Sequence, residues 1–222
     1  MKERILCIKD IVEKGTLSCN VSLTYQFLKR FFDIFVSILG MVILSPVFIF
    51  VTIAIKFDSV GPVIYSQERY GLKGKKFKIY KFRSMVVDAE RLQKDLKNKN
   101  EIEGCMFKIK NDPRVTKVGR IIRKTSIDEL PQLFNVIKGD MSIVGPRPPI
   151  MTEIDEYETW YKLRMSVKPG ITGLWQIKGR NDVGFEEMVR LDLKYIRERG
   201  FWYDMKIILY TIPLLLGDKR AF

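Results

Sequence analysis

The chain has 222 residues, 46% of them hydrophobic and 29% charged, which is enough apolar mass to build a core and excludes wholesale disorder. Its 39 Lys and Arg outnumber 26 Asp and Glu, and the resulting charge of +13 favours phosphates, acidic lipid headgroups or nucleic acid as partners. It has no histidine, which excludes Ser-His-Asp and Cys-His nucleophile pairs, HExxH zinc sites and imidazole proton shuttles; catalysis is left to carboxylates, Lys, Tyr, Cys or a bound metal.

Residues 1–24 form a mixed-charge prefix with a short predicted helix over 5–12 that ends at Gly15. Cys7, Cys19 and Cys105 make no CxxC pair and read as reduced thiols of a cytosol-facing protein. From 34 to 55 the sequence IFVSILGMVILSPVFIFVTIAI carries no charge, and about 20 apolar residues suffice to cross a bilayer. It starts too far from Met1, and lacks a small-residue cleavage site, for a signal peptide. Ser45-Pro46 falls near its middle, where proline removes a backbone donor and the Ser45 hydroxyl can bond a freed carbonyl. Lys29 and Arg30 precede the segment and Lys56 follows it, pulling both ends toward the cytoplasm. A helix-break-helix that enters and leaves by one face satisfies that pull; a Pro-kinked single span is the alternative.

Asp58, Gly61 and Pro62 then mark a turn, and VIYSQERYG and KFKIYKFRSM read as two strands of a basic hairpin around 71–74. Its GLKGKK sequence lacks the spacing of a phosphate-binding P-loop. Residues 87–99 predict an exposed charged helix. Residues 115–123 have helical spacing that puts Arg120 and Arg123 on one side. A further helix starts near 126–128. With Ser126 as cap, Pro131 falls where the helix needs a donor; with Asp128 as cap, Pro131 lies in the first turn and Asp128 sits at the positive helix end, beside Glu129 and within reach of Arg123. Two adjacent carboxylates beside arginines can bind a divalent cation, and a carboxylate can attack phosphorus.

Downstream, Gly145-Pro146-Arg147-Pro148-Pro149, residues 168–173 and Gly179-Arg180-Asn181 are rigid turns, with Arg147 and Arg180 free to grip phosphate. Between them, 153–165 and 185–197 predict helices, and 171–177 predicts a short strand carrying Trp175 as a core residue. The closing FWYDMKIILYTIPLLLG is aromatic-led and amphipathic, fitting a helix in a membrane interface or, alternatively, a core helix.

The segment from KRFFDIFVSILGMVILSPVF to KFRSM, followed by DPRVTKVGRIIRKTSIDELPQLFNVIKGDMSIVGPRPP, KPGITGLWQIKGRN and LDLKYI, closely resembles the bacterial sugar transferases known as monotopic polyprenyl-phosphate phosphoglycosyl transferases, over about residues 27 to 216. The resemblance implies an α+β fold: an extension (1–26), a re-entrant membrane helix hairpin (27–57) with Ser45 and Pro46 at its apex, a small cytoplasmic α/β catalytic domain (58–200) and a C-terminal interfacial amphipathic helix (201–222). It implies transfer of a phosphosugar from a nucleotide diphosphate sugar, usually a UDP-sugar, to undecaprenyl phosphate with release of UMP, starting a glycan on the cytoplasmic face of the bacterial inner membrane. It further implies Asp128 as nucleophile, Glu129 beside it, Mg²⁺ held by Asp128 and Glu129, Arg123 as a phosphate ligand, and a Pro146, Arg147, Pro148 substrate loop. Nucleic acid is not an expected partner, since no RNA- or DNA-binding motif is present. Charge and anchor alone also fit a non-catalytic membrane-anchored polyanion-binding scaffold, which leaves the carboxylate pair before Pro131 without a use.

Overall fold

The computed structural model describes residues 21–95, 109, 112–154, 157–178 and 184–215. The predicted prefix helix, the three cysteines and Arg180 lie outside them.

Ser22 caps helix α1 (Leu23–Ile43) by accepting a hydrogen bond from the Tyr25 amide at 3.2 Å. Helix α2 (Ser45–Asp58) follows after Leu44, with Pro46 in its first turn where no backbone donor is missed. The Ser45 hydroxyl donates to the Val42 carbonyl at 2.8 Å, the bond expected of it, and the two helices bend by 61°. Among the described residues no single helix is long and apolar enough to cross a membrane, whereas the bent pair together is. Its outer surface exposes Phe27, Phe31, Phe35, Val42, Phe50 and Phe57, a larger apolar face than a water-solvated monomer usually shows.

Strands β1 (Ile64–Tyr70) and β2 (Lys76–Phe82) pair antiparallel from Ile64↔Phe82 to Tyr70↔Lys76, as the sequence predicts, around a 3₁₀ turn over Leu72–Gly74. Helix α3 (Ala89–Asp95) falls within the predicted 87–99 helix, whose remainder lies outside the described residues. Helix α4 (Lys117–Lys124) is capped by Thr116, and Gly119 lets it approach the hairpin: a Cβ there would lie 2.0 Å from the Ser84 carbonyl oxygen. Helix α5 (Gln132–Lys138) leads to β3 (Ser142–Val144), which pairs parallel with β4 (Gly170–Thr172). These small sheets and the helices around them make a mixed α+β fold.

Three expectations are corrected here. The predicted 153–165 helix is divided into a short α6 (Met151–Ile154) and a 3₁₀ stretch over Thr159–Ser166. The predicted 171–177 strand stops at Thr172, and Trp175 lies half-buried on helix α7 (Leu174–Lys178); β-type composition yields there to the short register that Gly145 and Gly170 allow by close backbone approach. Asp128 is no helix cap, as described below. Helix α8 (Phe185–Glu198) matches its prediction, and α9 (Phe201–Leu215) follows.

The main core joins Phe77 and Ile79 of β2, Val136 of α5 and Met188, Leu193 and Ile196 of α8. A smaller cluster of Val51, Ile55, Phe82 and Ile122, with Ile127 and Leu130 packed on it, seats the turn before α5 on α2. Helix α1 is bound into the domain by polar contacts. Arg30 donates to the Val136 and Ile137 carbonyls at 2.6 and 2.9 Å, satisfying the end of α5, and Asp33 accepts from the Ile143 amide at 3.0 Å. Buried Asp204 of α9 accepts from Tyr25 and Lys29 of α1 and from Tyr195 of α8, all at 2.8 Å. Beyond that clasp, α9 buries Ile207 and exposes Trp202, Leu209, Tyr210 and Ile212.

Candidate active site

Ser126 adopts a left-handed conformation (φ 55°, ψ 17°), which halts the path of α4 and turns the chain into a single 3₁₀ turn over Ile127–Glu129. The Glu129 amide donates to the Ser126 carbonyl and the Leu130 amide to that of Ile127, each at 3.1 Å. Helix α5 begins only at Gln132, with Pro131 in the capping position. Neither alternative start read from the sequence is therefore realised. Asp128 lies inside the turn, and the electrostatics of its carboxylate come from burial and from neighbouring side chains instead of a helix end.

The Asp128 side chain is buried, and among the described residues no other side chain donates a hydrogen bond to it. Burial pushes its pKa up to about 6; Lys81 and Arg123 oppose the shift, and the adjacent Glu129 charge adds to it. At about 1.4 kcal/mol per unit, the ionised form is held roughly 3 kcal/mol above its cost in water. Glu129 is half-buried and receives Lys81 Nζ at 2.6 Å. Lys81 projects from β2 three residues after Lys78, whose carbonyl is fixed by Asn135 Nδ2 at 2.7 Å while Asn135 Oδ1 takes the Tyr80 amide at 3.0 Å. That pair of bonds locks β2 to α5 and so fixes Lys81 opposite the turn. Arg123, at the end of α4, is half-buried and its guanidinium makes no hydrogen bond or ion pair among the described residues, as a group kept for a ligand would.

The loop at 145–149 is tied to the strand β1 through Arg69, on which the Glu129 charge also acts. The Pro146 carbonyl accepts from the Gly170 amide at 2.9 Å and the Pro148 carbonyl from Arg69 Nη1 at 3.1 Å. Arg147 is not free, as its loop position suggested: its Nη1 meets both oxygens of buried Glu153 at 3.2 and 3.3 Å, and Glu153 also receives the Ile150 amide and the Tyr157 hydroxyl. Its remaining nitrogens leave a fork directed by that carboxylate.

Sequence reasoning missed Lys81, Arg69 and Glu153. Arg69 is half-buried on β1 with its Nε buried and unpartnered, and desolvation together with the Arg147 charge lowers its pKa to about 10, so it stays protonated at neutral pH. Glu129 and Glu153 both act on it in the opposite sense, which places Arg69 electrically between the Asp128-Glu129 turn and the proline loop. The alternation of KFKIYKF marks Lys81 as facing away from Tyr80, but only the tertiary register reveals its partner. Lys81 thus pairs with Glu129 and Arg147 with Glu153, while the Arg123 charge acts on Asp128 and Arg69 feels both Glu129 and Glu153. A multiply charged anion would complete such a site.

Residues 24–218 match the family model described as Bacterial sugar transferase. The chain belongs to this family. The galactosyl transferase CpsE of Streptococcus agalactiae is 54% identical over 194 residues, covering 87% of this chain and 43% of that protein. The UDP-glucose:undecaprenyl-phosphate glucose-1-phosphate transferase of Escherichia coli is 44% identical over 205 residues, 89% of this chain and 42% of that protein. The exopolysaccharide production protein ExoY of Sinorhizobium fredii is 41% identical over 198 residues and is covered to 88%, against 87% of this chain. This family member therefore spans about two fifths of the length of the first two relatives and most of the third.

Proposed function

We propose that the chain transfers a phosphosugar from a UDP-sugar to undecaprenyl phosphate. The observation that carries this reading is the buried Asp128 carboxylate, held without a side-chain donor opposite Lys81 and Arg123. A raised pKa near 6 leaves it ionised at neutral pH and more basic than an ordinary carboxylate, which suits a nucleophile. In the first half-reaction an Asp128 oxygen bonds to the sugar-bearing phosphorus, the bond from that phosphorus to the bridging oxygen breaks, and UMP leaves with the electron pair. In the second, an oxygen of the acceptor phosphate attacks the same phosphorus, the acyl-phosphate bond breaks and Asp128 is restored. Arg123 and Arg147 bind and orient the phosphates, and Arg180 is assigned to the same task on its position in the Gly179-Arg180-Asn181 turn of the sequence alone; Pro146 and Pro148 hold the loop.

The donor set at the turn fits Mg²⁺. Asp128 and Glu129 offer only oxygen, and among the described residues no group of three or more His, Cys, Asp or Glu forms a closed cage; Mg²⁺ commonly takes one or two carboxylates and completes its shell with substrate phosphates and water. Bound there, it would neutralise diphosphate charge. The bent helix pair, with Ser45 and Pro46 at its apex, is read as a re-entrant hairpin in the cytoplasmic face of the bacterial inner membrane, and α9 as lying in the interface. The relatives' names refer to galactosyl and to glucose-1-phosphate transfer.

The deciding experiment uses UDP-sugars labelled in the sugar-bearing phosphate. Without acceptor, one equivalent of UMP is released and label remains on the protein, mapping to Asp128; undecaprenyl phosphate then chases it into lipid, and stripping divalent cations abolishes both steps. Label on Glu129, or UMP release only when both substrates are present, would overturn the covalent scheme. Single-cysteine variants near both ends should resist an impermeant external reagent in right-side-out vesicles, and replacing Ser45 and Pro46 by Leu should expose one end.

A further inference from the structure

A cleft of about 280 Å³ runs between the helix pair and the domain, lined by Met41 and Phe48 on the hairpin side, by Ile64 and Tyr80 on the strands, and by Leu130, Pro131 and Phe134. Its wall is dry by construction. The Leu130 amide is used by the Ile127 carbonyl, the Leu130 and Pro131 carbonyls accept from Leu133 and Phe134 at 3.0 and 3.1 Å, and Pro131 has no amide proton to satisfy. The Tyr80 amide is likewise taken by Asn135. Such a surface offers a ligand apolar contact and almost no hydrogen bond.

Its position is what identifies the occupant. On the turn, one continuous segment serves both the candidate active site and the cleft: Leu130 and Pro131 line the cleft directly after Asp128 and Glu129, while Tyr80 lines it on the strand from whose opposite face Lys81 reaches Glu129. One end of the cleft therefore lies a residue away from the carboxylates and cations, and its far wall is the Met41–Phe48 break of the helix pair, whose outer face is exposed and apolar. A ligand spanning both must be a phosphate at one end and hydrocarbon behind it. We propose that the cleft seats the first isoprenoid units of the lipid acceptor, feeding its phosphate to Asp128 from the membrane side. This rests on the transferase reading above and assigns the acceptor its own subsite, apart from the donor.

The test varies acceptor length with the donor held constant. In the unaltered protein, KM should fall by about tenfold or more from dimethylallyl phosphate to geranylgeranyl phosphate, as added methylenes enter an apolar pocket. Met41→Trp fills the cleft and Phe134→Asn wets it from the other side; each should reduce that gain to about threefold or less, with the KM for UDP-sugar and the acceptor-free UMP burst unchanged. The burst also reports the correctly folded fraction, so a variant that loses it is set aside in favour of the other, and Ile64→Trp replaces both if needed. A chain-length gain that survives in variants with a full burst would overturn the cleft assignment alone. A rise in the KM for UDP-sugar instead would transfer the cleft to the donor. No UMP burst in the unaltered protein with any UDP-sugar would remove the transferase reading and the cleft's role with it.

Discussion

Asp204 and Asp128 are both nearly inaccessible, 3% and 8% exposed, yet their surroundings differ completely. Asp204 receives Tyr25 and Lys29 of α1 on Oδ2 and Tyr195 of α8 on Oδ1, so both of its oxygens are satisfied. Asp128 faces cations and receives no side-chain donor among the described residues, while Lys81 is drawn to its neighbour Glu129. The same side chain, removed from water to a similar degree, is a structural joint where donors surround it and, on the proposed function, the nucleophile where they are withheld. Burial costs free energy in both places; only at Asp204, among the two, do side-chain hydrogen bonds offset it.

The sharpest way to break the comparison is to neutralise each aspartate in turn. Asp128→Asn should lower turnover by about a thousandfold or more, measured as UMP release, because the amide cannot form the acyl phosphate. Its fold should persist, since Asp128 caps no helix and anchors no partner. Asp204→Asn should do the reverse: lose about 3 kcal/mol of stability by leaving Lys29 without its counter-charge, seen as a lower unfolding midpoint in detergent, while the protein that remains folded keeps its UMP burst. An Asp204→Asn protein of unchanged midpoint would end the contrast.

Acidity distinguishes the two states of Asp128 more finely. Because its folded pKa is raised to about 6, the folded protein holds that proton more tightly than the unfolded chain does. Stability from this group is thus greatest below the ordinary carboxylate range and declines as pH rises from about 4 through about 6. In divalent-free buffer, Asp128→Asn should be more stable than the parent by up to about 3 kcal/mol at pH 8 and equal to it near pH 4. Unfolding midpoints measured across that range would show it, and the donor half-reaction of the parent should rise through the same interval. The smallest effect expected is at the arginines: Arg123→Ala and Arg147→Ala should each lower turnover about tenfold or more, as loss of a charged phosphate partner usually does, with expression and extraction unchanged. Parent-like kinetics in Arg123→Ala would make its unpaired guanidinium a solvent-facing residue.

What could be read in the sequence follows the range of the forces involved. The Ser45-Pro46 break, the β1-β2 hairpin and α8 are set by neighbours in the chain, and they stand where their patterns place them. The carboxylates at 128 and 129 were legible as a pair through their composition and the following proline. Their setting was not, because a left-handed serine at 126 is unmarked by residue type and shifts the helix start by several residues. Lys81 and Glu129 are 48 positions apart, and Arg69 and Pro148 are 79, so neither contact leaves a periodic trace. Trp175 shows the same limit from the other side: a β-favouring stretch turns helical once β4 has used the three residues its neighbour can pair.

The clasp on Asp204 joins residues 175 and 179 positions apart, and this distance sets an order of events during synthesis. At roughly 5 to 20 residues per second, the ribosome delivers Tyr25 and Lys29 some ten seconds or more ahead of their acceptor. Helix α1 therefore spends that interval committed to its surroundings before the last helix arrives to fasten it. A chain stopped at residue 200 would carry every side chain named at the candidate active site and the Arg30 and Asp33 ties of α1, and would still lack the last of the fastenings that hold that helix.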